Sequence, residues 1–149
     1  MVEFMALTGL LAAEVSGLEV GDITFAPSAD PNVVNATVRV RRAKRRRNGE
    51  CVSGTLKTKN SRRNVLVEPG LAVKLAVYLR DTHERGDDLS APLWPSRKNG
   101  GGYRATGQRY AVPLDYSRPP ALGAFDNTIM KPALDAIGLP GSRPARPAT

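Results

Sequence analysis

A single cysteine, Cys51, stands in 149 residues, so no internal disulfide can form. That thiol has no neighbours at metal-ligand spacing, and neither a metal nor a cofactor is expected; a reducing cytoplasm is the expected compartment. Long apolar runs are missing as well. The N-terminal MVEFMALTGLLAAEV lacks a positive leader, carries Glu3 where that charge would sit, and falls short of the roughly 20 residues a bilayer requires. No membrane association is expected. Histidine is equally scarce: His83, in THERG, is the one copy, and it reads as an exposed residue at a helix end.

Acid is nearly absent from one stretch. Arg39 to Arg63, RVRRAKRRRNGECVSGTLKTKNSRR, holds eleven Lys and Arg against Glu50, a net of +10 where the whole chain is +8, which leaves −2 for everything else. Charge concentrated this way creates a local positive field that attracts polyanions. Asn35 to Arg41 alternates, with Ala36, Val38 and Val40 on one side, the period of a half-buried strand. Val52, Gly54 and Leu56 repeat the pattern, as do Val65 and Val67, and the reading is three adjacent antiparallel strands joined by two basic turns. In the first turn, KRRRNGE, Asn48-Gly49 suits a tight hairpin; the second is KTKNSRR. Each turn alone would read as a solvated loop keeping a sheet edge soluble. Two together favour contact with nucleic acid through Arg41, Arg42, Lys44, Arg45, Arg46, Arg47, Lys59, Arg62 and Arg63. A localisation signal would fit the first turn only.

The length suits one domain. Val2, Met5, Leu7 and Leu10 predict the buried stripe of a first helix ending near Gly9, and Leu11, Val15 and Leu18 that of a second. The first helix opens at Met1 without a capping side chain, which predicts a missing upstream partner. A third helix is predicted over Leu71 to Thr82, with Leu71, Leu75, Tyr78 and Leu79 on its apolar stripe, and a fourth over Ala121 to Ile137, kinked by Pro132 and stopped by Gly138. Between them lies a Gly- and Pro-rich segment containing Tyr103, Tyr110 and Tyr116; after residue 140 the chain reads as a disordered tail, 141–149.

The order Thr8-Gly9-Leu10, Glu14, Gly21-Asp22-Ile23, Lys57-Thr58-Lys59, Ser61-Arg62-Arg63 and Val65 resembles the front of the catalytic domain of tyrosine recombinases, the phage integrase family. Pro92-Leu93-Trp94-Pro95-Ser96, Phe125, Lys131-Pro132-Ala133-Leu134 and Gly138-Leu139-Pro140 continue the likeness, which covers about residues 1–140. It implies an α+β fold, mainly helical with a small three-stranded antiparallel sheet, and double-stranded DNA and integrase-like protomers as partners. In the family an arginine follows T-G-L and holds the scissile phosphate. This chain has Leu11 there, and losing a cation that stabilises phosphoryl-transfer charge costs on the order of 10³ or more in rate. The family lysine that protonates the leaving oxygen maps onto Lys57, with Lys59 as the other candidate.

The family's H-x-x-R pair is not matched, because the residue three after His83 is Gly86, and none of the four tyrosines sits in a setting suited to a nucleophile. The expectation is therefore a truncated recombinase-like domain that has lost strand cleavage and keeps DNA-backbone binding, with a partly molten, poorly soluble product. Two alternatives stand beside it: a recombinase completed in trans, and a non-enzymatic basic nucleic-acid-binding module.

Overall fold

The computed structural model describes residues 1–30, 33–47, 50–55, 62–97, 113–120 and 131–138. Helix α1 (Val2–Thr8) stops at Gly9, which takes the left-handed conformation (φ 65°) and donates its N–H to Met5 O. Only glycine adopts that conformation at little cost, so the Thr8-Gly9 break sets the end of the helix. The buried stripe differs from the expected one. Phe4 is buried, with Met1 and Met5 packed against the core, while Val2 and Leu7 are exposed. At 3.6 residues per turn, Met1, Phe4 and Met5 share a face and Val2 and Leu7 fall on the other. Leu10 is buried too, but beyond the helix end.

Helix α2 is a single turn, Ala12–Val15. Val15 and Leu18 enter the core as expected, whereas Leu11 caps the turn with its side chain 69% exposed. A 3-10 turn over Val20–Asp22 then leads into strand β1 (Ile23–Ala26).

The central sheet is three-stranded and antiparallel, in the order β1, β2 (Asn35–Val40), β5 (Arg63–Val67). The alternation in NATVRV is realised: Ala36, Val38 and Val40 are 2%, 0% and 1% exposed. Val38 stands opposite Ile23 and Val65, and Ala36 opposite Phe25 and Val67, so the inward sets of all three strands align. Helix α3 (Pro69–Val77) packs on this face through Leu71, Ala72 and Leu75, and runs into a π turn at Tyr78–Thr82. Glu68 caps it, accepting the N–H groups of Gly70 and Leu71, both at 2.9 Å.

The composition of the sheet corrects the sequence expectation. Most of the basic run forms a separate hairpin, β3 (Arg42–Arg47) against β4 (Glu50–Thr55), in register from Arg42 opposite Thr55 to Arg47 opposite Glu50. Both sides of β2 are occupied, by β1 and β5, and no place remains beside it for β4. Among its described side chains the hairpin buries no large apolar residue: Val52 is 47% exposed and Gly54 is exposed. Asn48-Gly49, Leu56 and Lys57 to Ser61 lie outside the described residues.

Residues 89–93 lie alongside 18–21. Leu93 N–H donates to Leu18 O, Val20 N–H to Ala91 O and Gly21 N–H to Leu89 O. Leu93 is fully buried. A short pair, β6 (Ser96–Arg97) with β7 (Leu114–Asp115), follows, and helix α4 (Lys131–Ala136) ends before Gly138, which is again left-handed at φ 74°. Pro132 is the second residue of that described helix; the expected helical residues 121–130, on which the expected kink at Pro132 depends, and the tail lie outside the described set. The result is an α+β fold in which α1, the α2 turn, α3 and the central sheet share one core.

Candidate nucleic-acid interface

β3 has the sequence R-A-K-R-R-R, and its root lies against the chain between α2 and β1. Gly17 makes this possible: a Cβ there would stand 2.6 Å from Arg42 O, closer than atoms approach. Across that seam Arg42 Nε donates to Gly17 O at 2.9 Å, and Arg42 Nη2 donates to Asp22 Oδ2 at 2.7 Å while also pairing with Glu19 Oε2. Lys44 Nζ reaches Glu19 Oε1 at 3.4 Å, and Arg41 Nε stands 3.4 Å from Asp22 Oδ1. Asp22 is 2% exposed and accepts the Glu19 N–H as well, at 3.0 Å. A buried carboxylate is tolerable only with this density of donors, because an unpaired one would forfeit its hydration.

A second ion pair ties β5 to α2. Arg63 Nη1 and Nη2 donate to the two oxygens of Glu14 at 2.7 and 3.0 Å, a bidentate match of fork to carboxylate. Glu14 Oε2 also accepts the Leu11 N–H at 2.9 Å, which caps the helical turn. The Arg63 hydrogen bonds hold the Glu14 carboxyl below the usual carboxylate range against the opposing pull of burial, and Glu14 in return raises the Arg63 guanidinium.

The nine cations expected to contact nucleic acid therefore divide. Arg42, Lys44 and Arg63 pair with carboxylates at the base of the hairpin and on β5; Arg41 does so too, with its side chain 49% exposed. Arg62 is exposed at the start of β5. Arg45, Arg46 and Arg47 occupy the outer half of β3, in register with Val52, Cys51 and Glu50. Lys59, like Lys57, lies outside the described residues. Glu14 and Asp22 entered the sequence reading only as motif residues and Glu19 not at all, so none was expected as an ion-pair partner. Their signal was present: three acids fall within nine residues ahead of a segment carrying +10.

The residues weighed for catalysis fare differently. His83 is not an exposed helix end; it is 4% exposed. Its Nδ1 accepts the Arg85 N–H at 3.2 Å, so the proton sits on Nε2, which donates to Pro92 O at 3.0 Å. The π turn draws the ring inward, where it stands edge-on to Tyr78 at 5.5 Å and to Tyr116 at 4.8 Å. Both nitrogens are thus committed to structure. Tyr78 stacks on Trp94 at 5.1 Å and donates to Leu93 O at 3.1 Å; burial pushes its hydroxyl up to about 12. Tyr116, in the Gly- and Pro-rich segment, is 8% exposed, and its hydroxyl accepts the Glu84 N–H at 3.1 Å. Neither tyrosine is placed for nucleophilic attack, and Tyr103 and Tyr110 lie outside the described residues. Among the described residues no group of three or more His, Cys, Asp and Glu side chains could hold a metal, and no helix is long and apolar enough to cross a membrane. In comparisons with known proteins, no family model, no curated protein and no solved structure matches the chain.

Proposed function

We propose that this chain binds the backbone of double-stranded DNA through the β3–β4 hairpin and the start of β5, as a recombinase-like module that does not cleave. The observation that supports this most is the hairpin itself. Six consecutive residues of β3 carry five cations on an element that stands outside the central sheet. A core has no use for such a strand; a polyanion does. The order of elements also supports the likeness to the front of the tyrosine-recombinase catalytic domain: helix, T-G-L turn, short helix, G-D-I, sheet, and the S-R-R entry to the last sheet strand.

Binding without cleavage follows from the residues present. Leu11 occupies the place of the family's phosphate-holding arginine, and an aliphatic side chain neither donates a hydrogen bond nor neutralises charge. Leu11 is exposed, so its position leaves room for a longer side chain, and its identity alone removes the function. His83 and the two described tyrosines are committed to packing.

Titrating a duplex across a salt series tests the proposal. With Arg45, Arg46, Arg47, Lys59 and Arg62 neutralising about five phosphates, log K falls against log salt with a slope near −4.5. A slope near zero refutes it. Incubation with a nicked duplex is expected to give no covalent protein–DNA adduct; an adduct would instead support chemistry completed in trans.

A further inference from the structure

Arg42 and Lys44, among the described cations of the positive segment, face carboxylates at the foot of the hairpin. Arg42 is bonded on three sides at the foot of the hairpin, to Gly17 O, Asp22 and Glu19, and its side chain is 25% exposed. Glu19 also takes Lys44, two residues further along β3, and Asp22 is sealed beneath. Gly17 lets the Arg42 backbone approach more closely than any other residue would allow. A two-stranded ribbon by itself is marginally stable in water. This one shares no ladder with the central sheet, so its direction must be fixed by other means.

We propose that Asp22 and Glu19 form an acidic clamp that aims the β3–β4 hairpin, and that Arg42 is a positioning residue and not a phosphate ligand. The clamp spends part of the segment's positive charge internally in order to hold the remaining cations at one angle. It rests on the DNA-backbone reading above, and it makes a counterintuitive prediction. Removing the negative charge of Asp22 raises the net charge by one, which for a chain attracted to DNA by its overall field would tighten binding. With a clamp, binding weakens.

The test uses the whole chain, a duplex titrated over a salt series, and backbone hydrogen exchange in β3 and β4. Asp22→Asn keeps the acceptor for the Glu19 N–H and is expected to weaken binding on the order of tenfold at fixed salt, the scale of one charge-assisted hydrogen bond. Arg42→Gln is expected to do the same with the salt slope unchanged. Arg62→Gln, by contrast, makes the slope shallower by about 0.9. Gly17→Ala alters no charge but pushes Arg42 away; it should copy Asp22→Asn and decides the matter if Asp22→Asn does not fold. Tighter binding by Asp22→Asn, or a slope shallower by about 0.9 in Arg42→Gln, overturns the clamp. Should the wild-type chain show no salt-dependent binding, the DNA reading is what fails. Exchange then decides the clamp: faster exchange in β3 and β4 of Asp22→Asn supports it, and unchanged exchange overturns it.

Discussion

Replacing Glu14 with glutamine isolates the charge of the ion pair that joins α2 to β5. The glutamine oxygen can still accept the Leu11 N–H, so the helical turn keeps its cap and only the bidentate partnership with Arg63 is lost. Removing one member of a fully buried pair costs about 3–5 kcal/mol, and an exposed pair contributes roughly 0–1 kcal/mol. Glu14 is 5% exposed but the Arg63 side chain is 39% exposed, so solvent screens one partner and the loss falls between those limits, at about 2 kcal/mol. Urea unfolding reads it as a midpoint lower by about 1 M for a slope near 2 kcal/mol per M. Acid supplies an internal control. The folded-state pKa of Glu14 is depressed, so the pair's contribution is complete above the unfolded value of about 4.3 and is lost as pH falls through the folded one. The gap between wild type and variant should therefore close as the pH drops below about 4. A variant within about 0.5 kcal/mol of wild type at pH 7, or a gap that persists undiminished to pH 3, would refute the reasoning.

Two further outcomes concern the ring cluster. Tyr78 is raised to about 12 by burial, so the folded chain holds its proton where the unfolded chain releases it; stability should decline as pH rises between about 10 and 12, and Tyr78→Phe should flatten that decline in alkaline melting curves. His83→Phe keeps the ring but leaves Pro92 O and the Arg85 N–H without their partner; it should cost about 2–3 kcal/mol by denaturant unfolding, and an unchanged midpoint would show those bonds to be dispensable.

What the sequence made legible was local. Asn35–Val40 declares itself because alternate residues are β-branched or small and all point to one side, and Gly9 and Gly138 mark helix ends because their backbone conformation suits little else. The missed features depend on partners distant in sequence. β1 is four residues, ITFA, with only Ile23 buried, and it becomes a strand because β2 lies beside it. The first helix was assigned the wrong stripe because Leu7 is apolar yet faces outward, while Phe4 finds Trp94, ninety residues away, at 5.5 Å. His83 was read as exposed because nothing near it in sequence announces the carbonyl of Pro92 or the ring of Tyr116. At the candidate interface the cations were plain, but which of them are already engaged is a property of Glu14, Glu19 and Asp22, whose burial no composition reveals.

Five rings run in sequence through the interior: Phe4, Trp94, Tyr78, His83 and Tyr116, each within 5.5 Å of the next. Because Trp94 is the chain's lone indole, its ultraviolet emission is a native optical probe of this spine. That emission tracks loosening where the first helix meets the third, and it needs no engineered dye. The positively charged ribbon carries no tryptophan, so a ligand seated there can be followed by other means while the light from the interior reports on whether the body of the protein has stayed intact.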